Sequence, residues 1–224
     1  MAIDAKSLVT ISEPNSPASE AYRALRTNLT FASLDKPLRT LMFTSPGPDE
    51  GKSTVLANLA VTIAQTERRV LLVDCDLRRP CLHELFGLAN DAGLTNLLTD
   101  PAARENPPFQ ETGVPGLRLL SSGPLPPRSA DLLASRRMEE TVRWLAEQAD
   151  QVLFDSPPIN AVADAAILAT LVDGVLLVVR ERRTRREAVV EARDRLARVN
   201  AHLLGAVLNG VNLDRSLAGY YGGR

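Results

Sequence analysis

The chain has 224 residues, 45% of them apolar and 24% charged, and its formal net charge is −1. That length suits one large domain with ample material for a core, and the composition is that of an ordinary soluble protein. No basic excess is present to draw nucleic acid as a bulk electrostatic partner, and no apolar run approaches the length of a membrane span. Cys75 and Cys81 fit no zinc spacing and no disulfide framework, which suggests a reducing compartment. Residues 1–6 start no signal peptide. The expected location is therefore cytoplasmic, with membrane contact made through a partner.

Residues 1–16 are polar and irregular and are expected to form a flexible N-terminal segment, with Pro14, Asn15 and Pro17 leading into a helix over about 19–32. An apolar strand at 40–44 runs into Ser45-Pro46-Gly47-Pro48-Asp49-Glu50-Gly51-Lys52-Ser53-Thr54, then a helix to about residue 65 and a strand at 69–74. This βαβ unit implies a parallel strand pair with a right-handed crossover. Short helical stretches follow near 82–86 and 94–98, then a proline-containing loop over 100–113 and a short strand at 117–120. Helices are expected around 129–134 and 138–148, and a buried strand at 151–155 ends in an acid. Strands at 173–179 and 204–208 are separated by a helix over about 184–200. Near-continuous apolar strands alternating with amphipathic helices predict an α/β P-loop NTPase fold: a doubly wound, mostly parallel sheet with helices on both faces. The domain would span 17–211, leaving 212–224 as a flexible tail.

The segment from Gly47 to Thr54 has the strand–turn–helix setting of a Walker A loop. Amides of Gly47, Asp49, Glu50, Gly51 and the helix start would cradle phosphate at the positive end of the helix dipole. Lys52 would reach the β- and γ-phosphates of ATP, and the Ser53 hydroxyl would sit on Mg²⁺. Pro46 stands where the strict pattern has its first glycine, and Pro46 and Pro48 both lack a donor N–H, so the cradle is thinned but not abolished. Ligands of parallel sheets lie outside the carboxyl ends of the strands, where Asp74 and Asp155 both fall. Together with Ser53 and Asp76 they are candidates for a Mg²⁺ site, and Asp155 has the position of a Walker B acid. Asp74 and Asp76 have two candidate roles, metal coordination and acceptance of a proton from an attacking hydroxyl.

The Walker A loop, the segment Val73-Asp74-Cys75-Asp76-Leu77-Arg78 and Asp155-Ser156-Pro157-Pro158 together resemble the bacterial tyrosine kinases, in particular the cytoplasmic kinase of capsule and exopolysaccharide systems of CapB/CpsD type. The likeness covers roughly residues 17–221 and extends to Gly93-Leu94-Thr95-Asn96, Asp164-Ala165 and Asp173-Gly174-Val175. It implies a protein-tyrosine kinase in which Lys52, Asp74, Asp76 and Asp155 are catalytic and the Asp-x-Asp-x-Arg segment serves metal binding and activation of the tyrosine. It further implies that Glu20, Arg23 and Arg26, which share one helix face, mediate ring-like self-assembly. A membrane adaptor with a cytoplasmic activating segment is the other implied partner.

Where that family usually ends in a tyrosine cluster, this chain offers only Tyr220 and Tyr221 as candidate autophosphorylation sites. Asn209, by likeness to related ATPases, is a candidate contact to the nucleotide base. The basic stretch 180–186 admits either a solvated helix start or contacts with a partner, phosphates or anionic lipid. Two alternatives to the kinase stay open: a MinD/ParA-like nucleotide-switched ATPase, and an assembly scaffold without kinase activity. Against the former, Gly47 stands where many such ATPases carry a signature lysine.

Overall fold

The computed structural model describes residues 8–32 and 37–211. In chain order the elements are α1 (Val9–Ser12), α2 (Pro17–Ala32), β1 (Thr40–Thr44), α3 (Lys52–Ala64), β2 (Val70–Asp74), α4 (Leu82–Phe86), α5 (Leu94–Thr99), β3 (Gln110–Glu111) and β4 (Leu117–Leu120). They continue with α6 (Ser129–Leu133), α7 (Arg136–Gln148), β5 (Gln151–Asp155), α8 (Asp164–Ala169), β6 (Gly174–Arg180), α9 (Arg186–Arg198) and β7 (Leu203–Asn209). The strands form one sheet in the order β3-β4-β2-β5-β1-β6-β7. All pairs are parallel except β3 with β4. The doubly wound, mostly parallel sheet expected from the sequence is therefore present.

Every residue of β1, β2 and β5 is buried, as central parallel strands must be when helices cover both faces. Their side chains alternate between two cores. Met42, Leu71, Val73, Val152 and Phe154 pack with α5, α7, α8 and α9, while Leu41, Phe43, Leu72 and Leu153 pack with α3 and α4. Helix α3 is buried almost all round, so it needs an outer cover as well as the sheet beneath it. Helices α1 and α2 supply that cover.

This accounts for a difference from the sequence expectation at the N-terminus. Residues 9–12 form a helical turn, Leu8 is buried, and Thr10 donates from its amide (3.1 Å) and its hydroxyl (2.9 Å) to Asn58 Oδ1 of α3. Two further differences concern short elements. Helix α8 occupies a segment for which no element is expected. Within 100–113, a 3₁₀ turn over Pro101–Arg104 and strand β3 replace the expected loop. That segment is fixed by a stack of rings and guanidinium groups. Arg104 lies 5.6 Å over the Trp144 ring, Trp144 stacks on Phe109 at 5.9 Å, and Arg118 lies 4.8 Å over Phe109. Helix α7 begins at Arg136, two residues ahead of expectation, because the Ser135 hydroxyl caps the Met138 amide.

Because the half-buried Trp144 is the middle of the stack, Trp144→Ala is expected to destabilise the fold by about 2 kcal/mol, below the ~3–5 kcal/mol of a fully buried ring. A urea titration followed by circular dichroism measures it.

Candidate active site

Strands β2, β5 and β1 are consecutive in the sheet and point the same way. Asp74 and Asp155, the last residues of β2 and β5, are register partners, and the loop after β1 lies one strand further on. Three segments far apart in the chain thus end at one rim.

The loop from Ser45 to Gly51 is shaped by its own bonds and held from behind by β6 and β7. Ser45 Oγ donates to the Gly47 carbonyl at 2.7 Å. Asp49 and Gly51 take positive φ values of 58° and 83°, and a Cβ at position 51 would lie 2.2 Å from Asn209 Nδ2. Glycine is thus required at 51 both by conformation and by space. The buried Glu50 side chain turns away from the nucleotide side. Its Oε2 accepts the Arg180 amide at 2.8 Å and the Thr184 hydroxyl, while its carbonyl accepts Asn209 Nδ2 at 2.9 Å. Asn209, the candidate contact to the base, fastens the loop through its Nδ2. Arg180 and Arg183 of the basic stretch reach the Asp49 carbonyl at 3.2 and 3.4 Å.

Lys52 opens α3 and bends back over the rim. Its Nζ lies 3.1 Å from both Asp155 carboxylate oxygens, 3.1 Å from Ser53 Oγ and 3.5 Å from Asp76 Oδ2. Ser53 Oγ in turn donates to Asp155 Oδ2. One cation thus already sits among a hydroxyl and two carboxylates, the donor set that suits a hard divalent ion. Among the described residues no group of three or more His, Cys, Asp and Glu could hold a metal by itself. Mg²⁺ needs no such cage, because it keeps waters and takes phosphate oxygens beside one or two carboxylates. The open side is a cleft of about 430 Å³ between the loop, Thr54, Asp76 and the segment from Arg79 to Leu85.

Residues 41–219 match the family described as CobQ/CobB/MinD/ParA nucleotide binding domain. Tyrosine-protein kinase YwqD of Bacillus subtilis is 44% identical over 218 residues, 97% of this chain and 92% of that protein. The chain belongs to the bacterial tyrosine kinases. The solved chimerical protein CapA2B2 superposes with a TM-score of 0.88 at 35% identity, covering 93% of this chain and 91% of the other. For the kinase domain of Escherichia coli tyrosine kinase ETK the TM-score is 0.86 at 37% identity, with 91% and 80% covered.

In this tyrosine kinase the three acids do not have equal surroundings. Asp74 is wholly buried and accepts the amides of Cys81 and Leu82 at 3.0 Å each and that of Asp76 at 3.2 Å. Its carboxylate organises the turn after β2 and makes no ion pair with Lys52. Asp76 Oδ1 accepts the amides of Arg78 (3.3 Å) and Arg79 (3.0 Å), leaving Oδ2 to face Lys52. Burial, and then the charge of Asp155, push the Asp74 carboxyl up to about 7, against the Leu82 amide and Lys52. Burial also raises Asp155, with Lys52 and Ser53 opposing it. Burial alone would favour a neutral Lys52 amine, but Asp155 and Asp76 outweigh it and hold the ammonium well above its ordinary value. The Cys81 thiol beside Ser53 is pushed up to about 12, chiefly by burial, which leaves it a poor nucleophile.

Glu20, Arg23 and Arg26 lie away from this rim, on α2. Glu20 pairs with Arg23, Arg23 donates to the Pro14 carbonyl at 2.6 Å, and Arg26 donates to the Thr62 carbonyl of α3 at 2.6 Å. All three charged groups make contacts inside one chain, while Ala21, Ala24, Asn28 and Phe31 are the exposed side of α2. Tyr220 and Tyr221 lie outside the described residues. Sequence reasoning missed the Glu50 latch to Thr184. It also missed the pairing of Arg78 with Asp164, for which an acid opening a helix was the available signal.

The fold holds a proton on Asp74 that the unfolded chain, with a carboxyl near 3.8, releases. Stability of the nucleotide-free protein is therefore expected to fall as pH rises from about 4 to about 7. Asp74→Asn should flatten that dependence and raise the urea midpoint at pH about 8 relative to the unsubstituted protein. Parallel urea titrations across this range check both.

Proposed function

We propose that this chain is an ATP- and Mg²⁺-dependent protein-tyrosine autokinase that passes the γ-phosphate to Tyr220 and Tyr221 of neighbouring copies. Its setting would be the control of capsular or exopolysaccharide synthesis. It would act in the cytoplasm at the inner face of the plasma membrane, held there by a membrane adaptor whose cytoplasmic segment activates it. The observation that carries the chemistry is the convergence of Ser53, Asp155 and Asp76 on the Lys52 ammonium at the mouth of a phosphate loop. The relatedness to tyrosine kinases over nearly the whole chain supports tyrosine as acceptor.

Lys52 would exchange its carboxylate partners for β- and γ-phosphate oxygens when ATP enters, and its charge would offset theirs. Ser53, Asp155 and Asp76 would then hold Mg²⁺, which would supply positive charge to offset that of the phosphate oxygens. The tyrosine oxygen forms the new bond to the γ-phosphorus as the bond to the β-phosphate bridge oxygen breaks, and the phenolic proton passes to a carboxylate. Each phosphotyrosine adds about −1.5 to −2 charges, enough to oppose close assembly of like subunits through the α2 face. Arg26 would support that face by fixing how α2 lies on α3, and Arg23 by tying α2 to the Pro14 carbonyl.

Incubation with radiolabelled ATP and Mg²⁺ is expected to label the protein. Label should be lost in Lys52→Ala and in the Tyr220→Phe/Tyr221→Phe double variant. Label persisting in the double variant moves the acceptor to Tyr22 or to other substrates. ATP hydrolysis without any phosphotyrosine, even with an activator present, would mean a nucleotide-switched ATPase instead.

A further inference from the structure

The Arg78 side chain turns away from the nucleotide cleft. Its Nε and Nη2 donate to the two Asp164 oxygens at 3.1 and 3.0 Å, a bidentate pair. Asp164 is wholly buried at the start of α8 and also accepts Ser129 Oγ at 2.6 Å, from the start of α6. Burial alone would raise the Asp164 carboxyl, yet Arg78 and Ser129 hold it below the ordinary value. The turn after β2 is thereby bolted to the starts of α6 and α8. The main chain of the same residue does a second job: the Arg78 amide, with that of Arg79, holds Asp76 Oδ1. The other oxygen of Asp76 is the one aimed at Lys52.

We propose that Arg78 is a positioning residue: through its clamp on Asp164 and Ser129 it fixes the turn whose amides orient Asp76, and so sets the protein's affinity for the divalent cation that accompanies ATP. The inference rests on the assignment of Asp76 to that cation. In this role Arg78 acts through the turn and not on the phosphates or the acceptor tyrosine, because its Nε and Nη2 are held by Asp164. Lysine cannot replace it, since one ammonium cannot make the two parallel bonds to Asp164.

The test compares Arg78→Ala, Arg78→Lys, Asp164→Asn and the Arg78→Ala/Asp164→Asn pair in the full chain. Two quantities are measured: the Mg²⁺ concentration giving half-maximal phosphorylation, and the Mg²⁺ concentration giving half of the rise in Tm produced by a non-hydrolysable ATP analogue. Groups that orient a metal ligand typically change metal affinity by about 10–100-fold when removed. Arg78→Ala and Asp164→Asn are each expected to raise both Mg²⁺ midpoints by about tenfold. The Tm rise with the analogue in EDTA should stay as in the unsubstituted protein. The double variant should be no worse than either single one, and Arg78→Lys should recover little.

Additive losses in the double variant, or a normal Mg²⁺ midpoint in Asp164→Asn beside a crippled Arg78→Ala, would overturn the proposal and place Arg78 on the substrate. If Asp164→Asn does not fold, Ser129→Ala takes its place, with a smaller shift of the same sign expected and no shift counting against the clamp. Should the unsubstituted protein label no tyrosine, the kinase proposal fails, while the Tm midpoints still decide the role of Arg78.

Discussion

Two carboxylates, Asp155 and Asp76, share the Lys52 ammonium, and a third, Asp74, lies buried beside them. Asp74 and Asp155 are fully buried and Asp76 nearly so, and a buried charge costs several kcal/mol unless it is paired. Lys52 can satisfy Asp155 and face Asp76, but it cannot neutralise all three acids. The remainder is eased by the amides around Asp74, whose carboxyl is raised by burial and by the charge of Asp155. Under the proposed function a divalent cation would resolve the same imbalance, and triphosphate oxygens would offer the displaced ammonium a new partner. Nucleotide binding would then be coupled to release of Lys52 from the acids.

The phosphate loop depends less on its own sequence than on what stands behind it. Proline at 46 and 48 removes two amides, but Glu50, Gly51 and Lys52 keep theirs, and Glu50 is anchored at both its side chain and its carbonyl. The anchors come from the ends of β6 and β7, so the part of the sheet that carries no acid sets the shape of the part that does. Preorganisation of this kind reduces the ordering that binding would otherwise require. The basic stretch after β6 contributes here too, through Arg180 and Arg183 on the Asp49 carbonyl.

The sheet, the loop and the acidic strand ends were legible because each leaves a local mark: a run of apolar residues, a glycine before a lysine, an acid after a strand. Strand β3 leaves none, since two residues cannot display a period. The division of labour among Asp74, Asp76 and Asp155 was hidden for a different reason. In sequence Asp74 and Asp76 look equivalent, and only the fold of the turn shows that one carboxylate gathers amides while the other faces the cleft. The fastening roles of the Glu50 side chain and of Asn209 were hidden on the same ground. A residue beside a phosphate loop reads as a ligand contact until its partners are known, and here those partners lie more than a hundred residues away.

The first helical turn bears on where this domain begins. Asn58 sits in the middle of α3, and its side chain faces both ways: Oδ1 receives Thr10, and Nδ2 donates to the Thr54 carbonyl in the first turn after the phosphate loop. A chain trimmed to start at Pro17 would leave that buried oxygen without a donor, at a cost of about 1–3 kcal/mol, and would strip the cover from Leu8's neighbours on an otherwise apolar helix. Residues 8–16 are thus part of the nucleotide-binding unit and not a leader to be discarded. A shortened protein that bound ATP poorly would be reporting a damaged α3 rather than a lost contact to the nucleotide.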